Sequence, residues 1–413
     1  MPSQDKKGTK MHVCMLAYAF YETDNRVRRY AETLLQQGHT VDVISIRKPS
    51  QPCCNRAENL RVFRIQKRSL TEKARLTYLS KLLLFSIKSF IVLSWLHLRK
   101  PYQLVHVHNI PDFLVFSALI PKLTGAKIIL DIHDILPEFY MSKFRASKKS
   151  LAFRGLTLIE RLSAMCSDHV IVANHIWHSR YISRSAKHGK CTVIMNYPNR
   201  KLFFPRENGP RSPYFTFVYP GTLSWHQGLD IAVEAFAILS KKTGKCRLEI
   251  YGHGAIKNDL VNLIARHGLE EKIYIHDTVS RAEIASVMAR ADCGIVPKRS
   301  QGFADEAFST KIWEFMAVGT PVIVPETTVD RYYFDDARVL FFKPEDVHDL
   351  AEKMERMMVD SDLRKSLADR GLMFSRNNCW DEKTNLYNNL IDSLFSPEQN
   401  PRSARVREDL HGK

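Results

Sequence analysis

The chain has no Cys-x-x-Cys pair, and none of its eight cysteines has a histidine at finger spacing, which excludes a zinc-finger type of metal site. Most of the thiols lie in apolar runs such as HVCMLAY and ADCGIVP, where cysteine is a small core hydrophobe, so a reducing cytosol is expected rather than a disulfide scaffold. The first ten residues, MPSQDKKGTK, have no apolar h-region, and a secretory signal is not expected. No repeat recurs at a solenoid period. Acidic residues are scarce in one half only. Residues 1–200 hold 32 of the 61 Lys and Arg but 13 of the 44 Asp and Glu, a balance of +19, whereas the rest of the chain stands at −2. A basic half beside a neutral one points to an anionic partner for the first half: nucleic acid, a membrane surface or a phosphorylated substrate. An aromatic-interleaved basic platform is missing, so nucleic acid is not expected.

What is present is ordinary for a soluble globular chain, with 45% hydrophobic and 25% charged residues. At 413 residues the chain exceeds what one hydrophobic core usually supports, so two domains are expected. Strand runs (HVCMLA, TVDVISI, LRVFRI, QLVHVH, KIILDI, HVIVAN and CTVIMN, then FTFVYP, CRLEIYG, KIYIHD, CGIVPK and TPVIVPE) alternate with amphipathic helical stretches. Val- and Ile-rich strands with helical crossovers give parallel sheets, and the fold class is α/β: two doubly wound, Rossmann-like domains. Pro, Asn, Arg and Gly crowd together in 196–215 and mark the break. The expected division is a disordered 1–10, an N-terminal domain over 11–200, a C-terminal domain over 201–378, a helix over 379–396 crossing back to the N-terminal domain, and a disordered tail over 397–413.

One segment, YLSKLLLFSIKSFIVLSWLHLRK at 78–100, is long, apolar and basic. Lys81 and Lys88 make it a poor spanning helix. Two readings fit: a crossover helix packed on a sheet, leading into the next strand, or a helix against a bilayer with Lys81, Lys88, Arg99 and Lys100 near headgroups and Trp95 at the interface. They are compatible.

In open parallel sheets ligands bind beyond the carboxyl ends of the strands, so the residues following each strand carry the chemistry. After FTFVYP comes GTLSWHQG, where Gly221 and Thr222 let backbone N–H groups approach a phosphate near a helix start. YGHGAIKNDL lacks the third glycine of a dinucleotide fingerprint and reads as a plain strand-to-helix turn. EAFSTKIWEFMAVGTPVIV places Glu306 just before a helix whose first turn is expected at Phe308 to Lys311, with Glu314 two turns along. Such carboxylates match the paired donors of sugar diols. The acidic DSD at 360–362 reads as a helix cap rather than a metal diad.

From about residue 11 to 395 the chain resembles the family-4 retaining glycosyltransferases, group 1 enzymes of the GT-B fold. The resemblance rests on EAFSTKIWEFMAVGTPVIV, YPGTLSWHQGLDIAVEAF, ADCGIVPKR, RVRRYAETLLQQGHTVDVI and LVHVHN, in that family's order. It implies two domains facing across a cleft, with Glu306 on donor-sugar hydroxyls, Glu314 on the nucleotide ribose, and the backbone N–H groups of Phe308 and Ser309 toward the donor sugar. His133, in DIHDILPE, matches the family's strand-end histidine near donor sugar and acceptor. His108, with Asp24 and Arg26, is assigned to the acceptor side. The family's Arg and Lys that neutralise the donor diphosphate are Thr222 and Gln227 here. Their charge must come from elsewhere: Lys311 for preference, otherwise Lys298, Arg299 or Arg331. The resemblance implies a nucleotide-sugar co-substrate and no metal or other cofactor, while the basic charge of the first half and the 78–100 segment point to a lipid-linked or polysaccharide-precursor acceptor. The enzyme is then expected in the cytoplasm, peripheral on the membrane's cytosolic face. Alternatives are a nucleotide-sugar epimerase on the same fold, or a basic nucleic-acid- or membrane-binding protein without catalysis.

Overall fold

The computed structural model describes residues 10–68, 75–144, 147, 149–206 and 212–396. The expected tails, 1–10 and 397–413, fall outside it except for Lys10. The chain forms two units, Met1–Met195 with Leu386–Lys413, and Asn196–Asn385. The break therefore comes at 195/196 rather than 200/201, and the last helix, Trp380–Phe395, starts in the second unit and ends in the first.

The first unit carries an eight-stranded sheet of β1 (His12–Ala17), β2 (Thr40–Arg47), β3 (Cys54–Ala57), β4 (Leu60–Lys67), β5 (Leu104–His108), β6 (Lys127–Ile132), β7 (His169–Val172) and β8 (Cys191–Val193), in the order β3-β4-β2-β1-β5-β6-β7-β8. All neighbours are parallel except β3 and β4. The second carries β9 (Phe215–Pro220), β10 (Cys246–Tyr251), β11 (Ile273–His276), β12 (Cys293–Ile295), β13 (Val322–Pro325) and β14 (Leu340–Phe342), all parallel, in the order β11-β10-β9-β12-β13-β14. Strands such as HVCMLA and VIVP are buried along their whole length, as sheets covered by crossover helices require. Strand order reverses between β1 and β5 in one sheet and between β9 and β12 in the other. At such switch points the loops beyond the carboxyl ends part and leave a crevice.

The helix Arg75–Arg99 packs beside β4, as the crossover reading of the 78–100 segment expects, and leaves one face open. Leu82, Phe85, Leu93 and Leu96 are buried, while Leu83, Ile87, Phe90, Ile91, Trp95 and Leu98 are exposed. Its 22 residues Tyr78–Arg99 are long and apolar enough to cross a membrane, and 28% of their most apolar stretch is buried. The face away from the sheet is apolar and open, which the sheet alone does not require. The 3-10 turn Asp112–Ala118 packs against this helix and against the helix Leu151–Cys166, and Leu123, Leu151, Leu158 and Met165 are also exposed nearby in the same layer.

Candidate active site

The second unit gathers its strand-end residues at the β9/β12 switch point. Gly221 follows β9 with φ +147, and a Cβ there would lie 2.3 Å from Lys311 Cε, so only glycine lets the lysine pass. The Tyr219 hydroxyl donates to Thr222 O and Gln227 Oε1, both at 3.0 Å. Lys311 Nζ donates to the same Gln227 Oε1 at 3.1 Å and lies 5.2 Å from the Tyr219 ring centre. Lys311, on the helix Thr310–Val318, thus reaches the loop that carries Thr222 and Gln227. Burial lowers its pKa to about 8, against the opposing pull of Glu314.

The other candidate cations are committed elsewhere. Lys298 is buried, 3.0 Å from Asp330 Oδ2, and donates to Ala307 O at 2.8 Å. Arg299 pairs with Asp230 at 2.5 Å and covers the Trp225 ring. Arg331 pairs with Glu326 and Asp336, each at 2.8 Å. Lys298 therefore ties the β12 loop to its surroundings rather than facing the crevice with a free charge.

Glu306 ends a four-residue helix, Phe303–Glu306, and the next helix is Thr310–Val318. Its first turn starts two residues later than the sequence suggests, because Ser309 takes the extended N-cap conformation. Ser309 Oγ is buried and has no partner among the described residues. Its hydroxyl and the helix's first N–H groups form a donor-rich end suited to a hydroxylated or anionic ligand. The Phe308 ring is anchored instead against Trp313, Tyr333 and Phe334, leaving only its backbone for that role. Glu314 lies just over one turn into the helix, and burial raises its pKa, with Lys311 and Arg281 opposing. Gly319, left-handed at φ +77, stops the helix, and Thr320 donates to Met288 O at 2.8 Å before β13 begins. Glu306, Ser309, Lys311 and Glu314 are thereby held on two short helices between β12 and β13.

In the first unit, three side chains converge on Asp131 at the end of β6. Arg26 donates through Nε and Nη2 to its two oxygens at 2.8 and 2.6 Å, and His108 Nδ1 and His133 Nε2 each lie 3.0 Å from Oδ2. Burial alone would raise the Asp131 carboxyl, but Arg26 and the imidazoles overturn that and hold it well below the usual range. An ionised Asp131 accepts the Nε2 proton of His133, which leaves Nδ1 as the ring's acceptor. His133 is partly exposed, and its backbone N–H donates to Asn109 Oδ1 at 2.7 Å. His106, His108 and Asp131 could hold a metal by distance, all their ligand atoms lying within 4.8 Å. Arg26 already covers both carboxylate oxygens, however, so the cluster is balanced without one.

This geometry reassigns three acceptor-side candidates. Asp24 caps the helix Asn25–Gln36, accepting from Arg26 N and Val27 N at 3.0 Å. Arg26 is spent on Asp131, and His108 is buried with its ring stacked 4.2 Å from His106. Only His133 presents a side chain outward. Tyr219, Asn109 and Asp131 do positioning work that the sequence reading did not assign. Asn109, directly after the VHVH strand, was the signal within reach.

The two halves match different family models. Residues 201–372 match the model of glycosyl transferases group 1, and residues 23–197 match a glycosyl transferase 4-like domain. Among curated proteins, the chain is 25% identical over 153 residues to the alpha-D-kanosaminyltransferase of Streptomyces kanamyceticus, covering 37% of this chain and 38% of that one. It is 26% identical over 206 residues to a GDP-mannose:cellobiosyl-diphosphopolyprenol alpha-mannosyltransferase of Xanthomonas oryzae pv. oryzae, covering 49% of this chain and 51% of that one. The matches thus span about two fifths and half of these relatives' lengths. Among solved structures, sucrose-phosphate synthase from Thermosynechococcus elongatus superposes with a TM-score of 0.77 at 19% identity, over 94% of this chain and 99% of that one, a likeness of fold. With both halves matched in order along most of its length, the chain belongs to the group 1 glycosyltransferases of the GT-B fold.

Proposed function

We propose that this protein is a retaining glycosyltransferase that moves a sugar from a nucleotide-sugar donor to a lipid-linked or polysaccharide-precursor acceptor, without a metal. The observation that carries this reading is Lys311 on the Gly221–Gln227 loop, a cation where the donor's diphosphate needs one. Cleavage of the sugar–phosphate bond places charge on the leaving diphosphate. Lys311 and the N–H groups at the start of the helix Thr310–Val318 are the donors that stabilise it. Glu314 takes the ribose and Glu306 the sugar hydroxyls, so that binding energy orients the anomeric carbon. Same-face attack lets the departing phosphate accept the acceptor's proton, which asks the protein for positioning and field rather than for a nucleophile. His133, its Nε2 held by Asp131, orients sugar or acceptor hydroxyls through Nδ1.

The acceptor class draws on two observations. The Xanthomonas relative is named for a diphosphopolyprenol acceptor. The open apolar face of the helix Arg75–Arg99, edged by Lys81, Lys88, Arg99 and Lys100, suits a peripheral position on the cytosolic face of an anionic membrane. The epimerase and nucleic-acid alternatives gain no support from the family.

The test is calorimetry against a panel of nucleotide sugars, with turnover followed in the presence and absence of membrane lipid extract. Binding of one donor, weakened in Glu314→Ala, and turnover that needs an acceptor support the reading. Donor turnover alone to an epimer, or no donor bound at all, removes it.

A further inference from the structure

The segment from Glu306 to Ser309 is held from behind by a buried ion pair. Lys298 and Asp330 are 4% and 0% exposed, and Lys298 Nζ lies 3.0 Å from Asp330 Oδ2. Thr327 Oγ1 donates to the same oxygen at 2.6 Å, which fixes the carboxylate at the start of the helix Thr328–Tyr333. From there Lys298 Nζ donates to Ala307 O at 2.8 Å, while Ala307 N–H donates to Phe303 O at 3.0 Å. A second strut joins the helices Phe303–Glu306 and Thr328–Tyr333: Asp305 accepts from Thr328 N at 3.0 Å and from Thr328 Oγ1 at 2.5 Å. Burying two charges costs desolvation that their attraction barely repays, so stability alone does not explain the pair.

The effect of Lys298 is felt across one peptide bond. The bond Ala307–Phe308 is trans, so its C=O and N–H point to opposite sides of a rigid plane. Packing of the Phe308 ring on Trp313 and Tyr333 fixes the side chain but not that plane, which can flip with little movement of the α-carbons. Lys298 removes this freedom by holding the carbonyl, and the Phe308 N–H then faces away from the buried pair. The ammonium also polarises the peptide it binds, which strengthens the N–H at the far side as a donor. The N–H groups of Phe308 and Ser309 make no hydrogen bond among the described residues, and both stand at the donor-rich end that precedes the helix Thr310–Val318. A donor oriented before the ligand arrives costs nothing to reorganise when charge or hydroxyl oxygens meet it.

We infer that Lys298, anchored by Asp330, is a positioning residue for the donor sugar: it sets the Ala307–Phe308 peptide so that the Phe308 N–H is held ready for a sugar oxygen. The inference rests on the transferase reading, in which Glu306 meets the sugar and Lys311 the diphosphate. Phe308 lies between them, two residues after the first and three before the second. Lys298, a sequence candidate for the diphosphate charge, thus acts through the backbone on the sugar instead. Loss of its bond to Ala307 should weaken the hold on the sugar and spare the nucleotide.

The chain contains four Ala–Phe bonds, at 19–20, 152–153, 235–236 and 307–308. Full-length protein carrying carbonyl-labelled alanine and amide-labelled phenylalanine therefore gives four carbonyl–amide correlations by NMR, and Ala307→Gly identifies the one at 307–308 by removing it. Lys298→Met should displace that correlation and leave the other three in place. Calorimetry then compares UDP-glucose with UDP, GDP-mannose with GDP, and dTDP-glucose with dTDP, on wild type and variant. The sugar conjugate that wild type binds should bind Lys298→Met at least fivefold more weakly, and the matching diphosphate within twofold of wild type. Lys298→Met combined with Asp330→Asn leaves no unpaired buried carboxylate and should show the same split, which keeps the test valid if the single variant does not fold. An unmoved 307–308 correlation overturns the inference, as does equal weakening of conjugate and diphosphate. Either result on a wild type that binds its conjugate defeats the inference alone, whereas a wild type that binds none of the six nucleotides defeats the transferase reading and takes the inference with it.

Discussion

If Lys311 neutralises the donor diphosphate, nucleotide binding must follow its protonation. Its pKa is lowered to about 8 by burial, and a bound diphosphate stabilises the charged form and raises it again. Above pH 7 the diphosphate is fully ionised, so a further change in affinity there belongs to the protein. Affinity should be flat from pH 7 to nearly 8, then fall by up to about tenfold per pH unit, as one proton must be taken up on binding. Replacing Lys311 by Met removes one charge-assisted contact of about 1.5–3 kcal/mol, roughly a 10- to 150-fold loss. Lys311→Arg keeps its charge throughout and should flatten the profile even if it binds less tightly. The assay is calorimetry with a nucleoside diphosphate from pH 7 to 10 on wild type, Lys311→Met and Lys311→Arg. A wild-type profile flat to pH 10, or a Met variant within twofold of wild type, refutes the assignment. The sign for stability is opposite: the unfolded chain holds the proton up to pH 10.5, so the ligand-free protein gains stability as pH rises from about 8 to 10.5.

Other outcomes follow from the same geometry. Glu314→Ala should raise the donor Kd, whereas Glu306→Ala should lower kcat with an unchanged melting temperature; unchanged kinetics in both contradict the donor clamp. Asp131→Asn leaves Arg26 buried without its carboxylate and should cost about 3–5 kcal/mol in urea denaturation, and a cost under about 1 kcal/mol would show the pair to be dispensable. Asp112 is buried and its pKa raised to about 7, so its unfavourable ionisation is absent below pH 4 and complete above pH 7. Asp112→Asn, which keeps an oxygen for the 2.9 Å bond from Asn109, should therefore raise the unfolding free energy at pH 8 and not at pH 4, by no more than about 4 kcal/mol in urea denaturation; an equal change at both pH values speaks against it. Ile87→Glu with Trp95→Glu should abolish retention on anionic vesicles without altering melting, and vesicle binding that survives would move the membrane contact elsewhere.

Much of this was legible because the signals are local. The Val- and Ile-rich runs announce parallel strands, Gly319 ends its helix, and Asp360 caps the helix Ser361–Asn377 as its sequence suggests. Lys311 could be singled out because it lies within the same motif as both glutamates. What escaped depends on contacts distant in sequence or on weak local signal. Arg26 and Asp131 are 105 residues apart, and no periodicity ties them together. Asp24 offers the same side chain to a cap as to a ligand, and only its bonds to Arg26 N and Val27 N decide. The edge strand β3, Cys54–Ala57, is four exposed residues without alternation, held only by β4. The start of the helix at Thr310 follows from Ser309 adopting an extended conformation, next to a Phe308 whose ring packs on Trp313.

The central claim is transfer of a sugar with its configuration kept. The measurement that meets it most directly is proton NMR of the sugar released or transferred from the nucleotide sugar that the protein binds, recorded early enough to precede mutarotation. The account predicts an α-anomeric product from an α-linked donor, with turnover lost in Glu306→Ala. A β-anomeric product, or no cleavage of a donor that the protein demonstrably binds, would contradict it.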